Sequence, residues 1–514
     1  MSEAAVATAS DGDPHAPPHR VLITASVMLA SIMQALDNTI ANVALPRIQG
    51  SLSATQDQMA WVLTSYIIAA AIMTPLSGWL AGQVGRRRVF LFSVVGFTVS
   101  SALCGLAQSL PEIVTARLFQ GLCGAALIPM SQAVLLDIYP PAQHARAMAI
   151  WVMGVTIGPI LGPALGGWLT ENYDWRWVFY INVPFGILSF VGILSSMPET
   201  PLRKSRFDFF GFATLSLAIG AFQLMLDRGQ LMDWFNATEI WIEASVAGVA
   251  LYLFVVHMVT SSKPQFVSPV LFKDRNFVTG NIFIFTIGVV LFATLALLPS
   301  MLQDLLGYPV VLTGLVTAPR GIGTLAAMLI VGRLMGKLDA RLVIIAGFGI
   351  TAWSLWNMTG FYLQMNTAPI VWSGLAQGLG TGFVYVPLAA VTFATLAPRF
   401  RNEGTALFSL IRNLGSSIGI SVVEALLTRN TQAMHSSLAG HVTPYGDLMH
   451  LQSAATATAQ GLAMLDRVVT RQAAMIAYND DFKLMMLLTL GAIPLVVLLR
   501  SGSSRKGVEP VVIE

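Results

Sequence analysis

The chain has 514 residues, of which 55% are hydrophobic and only 11% are charged. This charged fraction is less than half that of a typical soluble domain, so the composition indicates an integral membrane protein. The net charge of +3 is too small to predict nucleic-acid binding. The two cysteines, Cys104 and Cys123, both fall inside apolar segments, and we predict no disulfide between them.

Runs of about 20 apolar residues, the length that crosses the hydrocarbon core of a bilayer, recur along the whole chain. Taken in order, they lie at about 21–45, 59–82, 88–108, 112–137, 146–170, 177–197, 209–227, 239–260, 277–300, 311–335, 341–362, 368–396, 404–427 and 482–500. The sequence therefore predicts an all-α integral membrane protein with about fourteen spans. An even number of spans places both termini on the same side of the membrane.

Polar linkers divide these spans into groups. We predict a disordered tail at 1–20, a six-helix bundle at 21–198, two inserted helices with their linkers at 199–276, a second six-helix bundle at 277–500 that includes an outer loop at 428–481, and a tail at 501–514. Most of the 29 Lys and Arg residues fall on the side of the N-terminus. Because basic loops stay in the cytoplasm, both termini are predicted to be cytoplasmic.

The two outer groups of spans share short sequence patterns. The tripeptide Gln120–Leu122 recurs as Gln377–Leu379, and the pair Pro129 and Pro140 recurs with the same spacing as Pro387 and Pro398. These echoes indicate a duplication of six spans. In a transporter, such a duplication places the substrate site near the membrane midplane, between the two halves.

A glycine-rich stretch lies in the fifth span. Glycines recur every fourth residue and prolines follow two of them, at Gly154, Gly158, Pro159, Gly162, Pro163 and Gly166. On a helix these residues form a face almost without side chains, which lets a neighbouring backbone come close. The stretch is either ordinary small-residue packing or a sealed but movable helix contact, that is, a gate.

Two charged residues lie well inside predicted spans: Asp37 in the first and Arg117 in the fourth. Charges inside a membrane are costly, and they usually face a cavity or a partner. Both are in the outer half of their spans, so they could share one aqueous cavity. There the carboxyl could bind and release a proton as its surroundings change. The alternative is a structural ion pair that holds the two spans together.

Several motifs resemble those of one family. The stretch Gly78–Arg88 resembles the cytoplasmic loop signature of the major facilitator superfamily, Arg117–Ala126 resembles its membrane-embedded arginine motif, and the glycine stretch resembles its antiporter signature. Three further stretches resemble the fourteen-span drug:proton antiporter branch of that family, namely Leu36–Pro46, Trp175–Gly186 and Leu226–Phe235. The resemblance covers nearly the whole chain.

The resemblance implies a major facilitator fold, with two six-helix bundles and two additional central helices. It also implies that Asp37 is the proton-coupling carboxylate and that Arg117 modulates it. Gating is expected at the glycine stretch and at Gly78, Gly85, Arg86 and Arg87. This chain departs from the loop signature, because Gly82 and Gln83 stand where an acidic and a basic residue are usual. The charge contact made by that loop is therefore in doubt. The alternative is that the arginines only keep this loop on the cytoplasmic side of the membrane.

Polar and large apolar side chains in the cavity-type spans are candidates for substrate binding: Gln34, Asn38, Trp61, Tyr66, Gln120, Met130, Tyr385, Arg412 and Asn413. Arg412 and Asn413 could contact an anionic group, cap a broken helix or simply pack. Arg320 lies early in its span and is interpreted as a residue that snorkels to the membrane surface. Glu424 is interpreted as interfacial.

The sequence thus predicts a proton-driven exporter of hydrophobic toxic compounds in a bacterial inner membrane, with no cofactor other than the proton gradient. The resemblance implies a periplasmic membrane-fusion adaptor as its partner and an outer-membrane channel beyond. An apolar rhythm within Leu451–Ala477 predicts an amphipathic helix on the outer face, which either docks the adaptor or lies on the bilayer. Uptake by proton symport and a non-transporting sensor or scaffold remain alternatives. No motif of an enzyme or an ATPase occurs.

Overall fold

The computed structural model describes residues 19–140, 143–200, 202, 206–261, 265–335, 338–441 and 459–499. Helices make up most of these residues, and no β-strand occurs among them. The two predicted tails lie almost entirely outside the described residues, as does the part of the predicted outer loop at 442–458.

The helices of the first bundle are α1 (Arg20–Leu52), α2 (Gln56–Val84), α3 (Arg86–Leu106), α4 (Leu110–Gly124), α5 (Leu127–Ile138), α6 (His144–Asn172), α7 (Trp177–Tyr180) and α8 (Asn182–Ser196). The inserted pair consists of α9 (Phe209–Gly229) and α10 (Thr238–Thr260). The second bundle contains α11 (Arg275–Ser300), α12 (Val310–Thr317), α13 (Pro319–Leu334), α14 (Ala340–Met358), α15 (Thr367–Ala394), α16 (Arg401–His441) and α17 (Ala459–Ala492).

Twelve helical segments in the described part of the chain are long and apolar enough to cross a membrane. They include both inserted helices. Helices α6 and α14 are not among the twelve, but α6 packs on α1 in the first bundle and α14 packs on α15 in the second. The all-helical membrane fold is therefore confirmed, whereas the count of fourteen spans stays a prediction. Apolar residues cover most faces of these helices because the outer faces meet lipid and the inner faces meet other helices.

Helix contacts define the two bundles. In the first, α1 packs on α6 and α8, and α4 packs on α2 and α3; in the second, α15 packs on α13 and α14, and α11 packs on α16. The inserted helices α9 and α10 pack on each other, and α9 also contacts α2 and α16. The inserted pair thus lies beside the junction of the two bundles.

Three predicted spans, the fourth, the sixth and the tenth, are each divided into two helices, and the sixth is divided at Ile181, between α7 and α8. The fourth span bends at Ala125 and Ala126, between α4 and α5. At this bend the backbone N–H of Ile128 donates to the Gln34 side-chain oxygen over 3.2 Å. The tenth span is divided before Pro319, which has no N–H to continue the helical ladder. Gln34, proposed from the sequence as a cavity residue, therefore accepts a hydrogen bond from a backbone N–H at the break in the fourth span.

The prediction of an outer loop at 428–481 is wrong for most of its length. Helix α16 continues to His441, and α17 begins at Ala459, so both run well beyond the predicted spans. The His435 Nε2 atom and the Asp466 Oδ1 atom lie 2.9 Å apart and join the two extensions. Hydropathy marked only the lipid-embedded part of each helix, because a helix can continue into water with a polar surface. From Ala459 on, the predicted amphipathic helix is the first part of α17, and its predicted beginning at 451–458 lies outside the described residues.

The glycine stretch of α6 packs against α1, within the first bundle. A Cβ atom on Gly158 would overlap the carbonyl carbon of Ala35 and lie 2.5 Å from the Leu36 nitrogen, and one on Gly162 would overlap the Thr39 hydroxyl. That hydroxyl donates to the Gly158 carbonyl oxygen over 3.1 Å. The close backbone approach that the sequence predicts is therefore present, against the helix that carries Asp37.

The other two glycines extend the same contact. A Cβ on Gly154 would overlap the Met28 side chain, and one on Gly166 would lie 2.9 Å from a side-chain carbon of Ile40. The side chains of Pro159 and Pro163 lie outside the described residues. Whether this contact moves during transport stays a prediction.

We expect Gly158→Ala to lower the thermal stability of the purified protein. The added methyl group would overlap the α1 backbone, and overpacking of this kind costs about 1–3 kcal/mol. Gly248 in α10 is the matched control, because no atom lies within 4 Å of the position that its Cβ would take. Gly248→Ala should keep or raise stability, since alanine favours helix. Equal melting temperatures for the two variants, measured in the same detergent, would contradict the close contact.

Candidate functional site

The two charged residues singled out from the sequence form a buried ion pair. The Asp37 side chain on α1 is fully buried and that of Arg117 on α4 is 1% exposed. The Arg117 Nη1 atom donates to Asp37 Oδ2 over 2.7 Å. A buried ion pair is tolerated only when the remaining polar atoms also find partners, so the neighbouring donors and acceptors decide what this pair can do.

Two amide side chains complete the site. Gln120 Nε2 donates to Asp37 Oδ1 over 3.0 Å and Asn182 Nδ2 donates to the same oxygen over 2.7 Å. Arg117 also donates to the Gln120 side-chain oxygen over 2.8 Å, and its guanidinium carbon lies 4.4 Å from the centre of the Tyr66 ring. Three donors thus converge on the Asp37 oxygens, an arrangement that fits a carboxylate.

Asn182 is the residue of this site that sequence reasoning did not select. It lies at the start of α8 and is completely buried, and its amide also donates to the Ser101 hydroxyl over 3.0 Å. An uncharged amide in an apolar segment gives only a weak signal. The one available indication was its position within the Trp175–Gly186 motif.

The second bundle has a neutral counterpart of this site. Gln377 Nε2 on α15 donates to the Thr294 hydroxyl on α11 over 3.1 Å, and both side chains are buried. Thr294 and Gln377 follow Asp37 and Gln120 by the same 257 residues. The same interval from Arg117 leads to Gly374. The contact between these two helices therefore occurs in both bundles. The second bundle has Thr294 and Gly374 at the positions that correspond to Asp37 and Arg117, so the ion pair belongs to the first bundle.

A second cluster of the predicted residues lies where the bundles meet. Arg412 Nη1 donates to the Tyr385 hydroxyl over 3.2 Å, and Arg412 Nη2 donates to the Asn413 side-chain oxygen over 3.3 Å. The Tyr385 ring lies 6.2 Å from the ring of Trp151 on α6 of the first bundle. A basic group and a phenol thus face the junction together.

The interpretation of Arg320 as a snorkelling residue is wrong. Arg320 is only 8% exposed, and its Nη2 atom donates to the Leu291 carbonyl oxygen over 3.3 Å. Among the described residues, no carboxylate lies within ion-pair distance of it. A Cβ on Gly378 of α15 would overlap the Arg320 carbonyl oxygen. The close packing of α13 on α15 thus holds this arginine inside the bundle.

The remaining substrate-binding candidates are dispersed. Asn38, next to Asp37, is exposed, and Trp61 near the start of α2 is 42% exposed. Met130 is 2% exposed and belongs to the packed core. The structure therefore brings Tyr66 and Gln120 to the ion pair, and Arg412 and Asn413 to Tyr385. Asn38 and Trp61 face open surroundings instead.

On the side of the N-terminus, charged residues join the two bundles. Arg86 Nη1 donates to Asp137 Oδ2 over 2.5 Å, and Arg86 Nη2 donates to the Asn402 side-chain oxygen over 2.6 Å. Arg401 Nη1 donates to Asp137 Oδ1 over 2.7 Å. Asn402 and Arg401 belong to α16 of the second bundle. The charge contact that Gly82 and Gln83 put in doubt is thus supplied by Arg86 and Asp137, and we call it the N-terminal-side latch.

The other residues of the loop signature have different roles. A Cβ on Gly78 would lie 3.1 Å from the Glu403 Cα atom of α16, so glycine allows close approach across the latch. Gly85 connects α2 to α3 with a φ of 97°, a conformation that favours glycine. Arg87 donates to the Leu194 carbonyl oxygen over 2.5 Å and thus stays within the first bundle.

Comparisons with known proteins agree with this architecture. The protein-family model described as Major Facilitator Superfamily matches residues 27–420. The chain is 37% identical over 482 residues to the fatty acid resistance protein FarB of Neisseria gonorrhoeae, covering 92% of this chain and 95% of that protein. It is 36% identical over 470 residues to the multidrug export protein EmrB of Escherichia coli, covering 90% and 92%.

A solved structure shows the same fold at low sequence identity. The crystal structure of the human organic anion transporter TETRAN aligns with a TM-score of 0.60 and 14% identity, covering 92% of this chain and all of that chain. The family match extends over most of the chain, and the two bacterial relatives align over nearly their whole lengths. This multi-pass membrane protein therefore belongs to the Major Facilitator Superfamily.

Proposed function

We propose that this protein is a proton-driven exporter of hydrophobic compounds in a bacterial inner membrane, with both termini in the cytoplasm. The observation that carries the proposal is the buried cluster of Asp37, Arg117, Gln120 and Asn182, drawn from three helices of one bundle. Buried intramembrane charges of this kind mark proton or ion pathways. Relatives named for multidrug export and for fatty acid resistance support export as the activity.

Asp37 is the group that would exchange the proton. In this conformation the N-terminal-side latch is formed and Arg117 supplies the counter-charge to Asp37. A movement of α1 relative to α4 would lengthen the 2.7 Å contact between Arg117 and Asp37 and leave the Asp37 carboxylate without a counter-charge. A proton would then replace the arginine as its partner, because an unpaired buried charge is costly. The change of partner thus links helix movement to proton uptake.

Two alternatives use the same fold. An uptake symporter would move substrate in the same direction as the proton, and a sensor or scaffold would not need transport at all. The likeness of the glycine stretch to an antiporter signature favours exchange. The direction of proton-driven substrate movement in vesicles separates all three.

We expect Asp37→Asn to abolish transport driven by a pH gradient in proteoliposomes, with ethidium as the fluorescent probe. The amide keeps the shape of the side chain but cannot exchange a proton. Binding of ethidium to the purified variant should persist. Asp233→Asn, at an exposed position between α9 and α10, is the control and should transport normally. Normal gradient-driven transport by Asp37→Asn would overturn its coupling role.

The buried arginines of the second bundle point to the substrate class. Arg320 is 8% exposed and Arg412 is 9% exposed, and no described acidic side chain forms an ion pair with either of them. Burying an unpaired charge costs several kcal/mol. An anionic group on the substrate would compensate them, as the sequence analysis considered for Arg412. We therefore propose that amphiphiles with a carboxylate are among the substrates.

We expect laurate to raise the melting temperature of the purified protein in nanodiscs more than dodecanol, which has the same chain without the charge. Arg412→Gln and Arg320→Gln should each weaken laurate binding by about tenfold or more, because a hydrogen bond to a charged group contributes about 1.5–3 kcal/mol. Arg333→Gln is the control, since Arg333 lies exposed on the same helix as Arg320. Equal binding of laurate and dodecanol would contradict an anionic substrate.

The extensions of α16 and α17 offer a surface for a partner. Helix α17 has 34 residues and is about 50 Å long, more than the hydrocarbon core of about 30 Å. Its first turns expose Leu462, Met464 and Val468 by 52%, 71% and 56%. Exposed apolar side chains on a polar helix often mark an interaction site. We propose that they contact a periplasmic membrane-fusion adaptor, which would connect to an outer-membrane channel.

We expect the triple variant Leu462→Gln, Met464→Gln, Val468→Gln to keep transport in proteoliposomes but to lose drug resistance in cells. Only in cells must the substrate cross a second membrane through the adaptor. The variant with Ala463→Gln and Thr470→Gln, at exposed positions on the same turns, is the control and should confer resistance. Resistance retained by the triple variant would exclude these side chains from docking.

A further inference from the structure

The second bundle contains a buried carboxylate that the proposed cycle does not use. Asp481 on α17 is 1% exposed, and neither of its carboxylate oxygens has a hydrogen-bond partner in the part of the chain that the structure describes. The sequence analysis placed it in a loop, because the last span was predicted to begin at 482. In the structure it lies well inside the helix that begins at Ala459.

Among the described residues, no counter-charge pairs with Asp481. Its titratable neighbours are Asp480 and Tyr478 on the same helix, and Tyr478 in turn lies near Glu424 on α16 and Asp304 in the π-helical turn after α11. This part of α17 contributes Phe482 to an apolar cluster that also contains Leu355 and Met358 of α14. Among the described residues, no basic side chain lies within ion-pair distance of Asp481.

A proton is the ligand that fits this environment. A bare carboxylate without a hydrogen bond in a low-dielectric interior is strongly unfavourable. A hard metal cation would need about six oxygen ligands, whereas phenylalanine, leucine and methionine side chains surround much of this position. Protonation alone removes the charge without requiring further ligands.

One face of α17 leads from Asp481 towards the middle of the bundle. Asp481, Met485 and Thr489 follow each other at intervals of four residues, so they lie on one face of α17 over about 12 Å. The Thr294 hydroxyl donates to the Met485 sulfur over 3.6 Å and also accepts from Gln377. Asp481 is therefore about one helical turn from the neutral counterpart of the first-bundle site.

A cavity lies at the inner end of this row. It has a volume of about 20 Å³, enough for about one water molecule, and its polar lining consists of Gln377, Thr286, Thr351, Thr381 and Thr489. The side-chain oxygen of Gln377 is buried and has no hydrogen-bond partner. A small cavity with hydroxyl groups and an unpaired acceptor in its wall is a place where a water molecule can bind. The cavity could thus carry a proton towards Met485, whose flexible side chain separates it from Asp481.

We propose that Asp481 is a second proton-binding residue of this transporter, protonated in the present conformation and able to exchange its proton through the threonine-lined cavity of the second bundle. Its role in coupling rests on the proposed proton-driven function, whereas its protonation does not. Opening the second bundle would admit water to Asp481 and release the proton as carboxylate hydration becomes possible. Closing would require the proton to return.

The protonation is tested by infrared difference spectroscopy on the purified full chain in nanodiscs, titrated with acid and base. The wild type should show the carbonyl band of a buried protonated carboxyl group. Asp481→Asn should remove that band. Asp480→Asn, the exposed neighbour, and Asp37→Asn should keep it. A band of the same size in Asp481→Asn and in the wild type, or no band in the wild type, would overturn the proposal.

Coupling is tested by the largest ethidium gradient that proteoliposomes reach under a fixed pH difference, with the membrane potential held at zero. Each coupled proton multiplies this gradient by about tenfold per pH unit. We therefore expect Asp481→Asn to lower the gradient by about tenfold at one unit, and Asp480→Asn to leave it unchanged. Ethidium exchange without a pH gradient should persist in Asp481→Asn, which shows that the variant is folded.

The two outcomes separate the two proposals. If the wild type builds a gradient and Asp481→Asn builds the same one, Asp481 does not couple. If the wild type builds none, the proton-driven function fails, and the infrared band still decides whether Asp481 binds a proton.

Discussion

The buried ion pair between Asp37 and Arg117 constrains much of the first bundle. It requires α1 and α4 to meet at one depth, and it requires α8 to bring Asn182 to the same carboxylate. Glycines on α6 let that helix pack directly against the backbone of α1. A buried pair of charges is stable only with all of these partners. Any movement that separates the helices therefore changes the energy of the charge itself.

The two bundles share a framework but differ in charge. The contact between Gln120 and Asp37 in the first bundle corresponds to the contact between Gln377 and Thr294 in the second. The first bundle balances its buried aspartate with an arginine. The second bundle buries Arg320 and Asp481, and neither forms an ion pair with any described residue. The two bundles thus share this helix packing, while differences at a few positions give each bundle separate chemistry.

The contacts between the bundles define the conformation. On the side of the N-terminus, Arg86, Asp137 and Arg401 tie the bundles together, so the bundles are in contact on this side. On the far side, the Ser421 hydroxyl on α16 donates to the Leu226 carbonyl oxygen on α9 over 2.9 Å. The inserted pair therefore lies beside the junction. Separating the bundles on this side must break the charged contacts of Arg86, and water would then hydrate the charges that are set free.

The sequence by itself determined the membrane fold, most of the spans, the inserted pair and the importance of Asp37 and Arg117. It could do so because apolar runs are long and a charge inside one is conspicuous. Only the tertiary structure decided that Asn182 joins the site, that the glycine stretch faces α1, that Arg320 is buried and that α17 extends past Asp481. Hydropathy describes each residue alone, whereas burial and hydrogen bonding depend on neighbours that are distant in the chain. A helix that continues from lipid into water has no hydropathy signal at its true end.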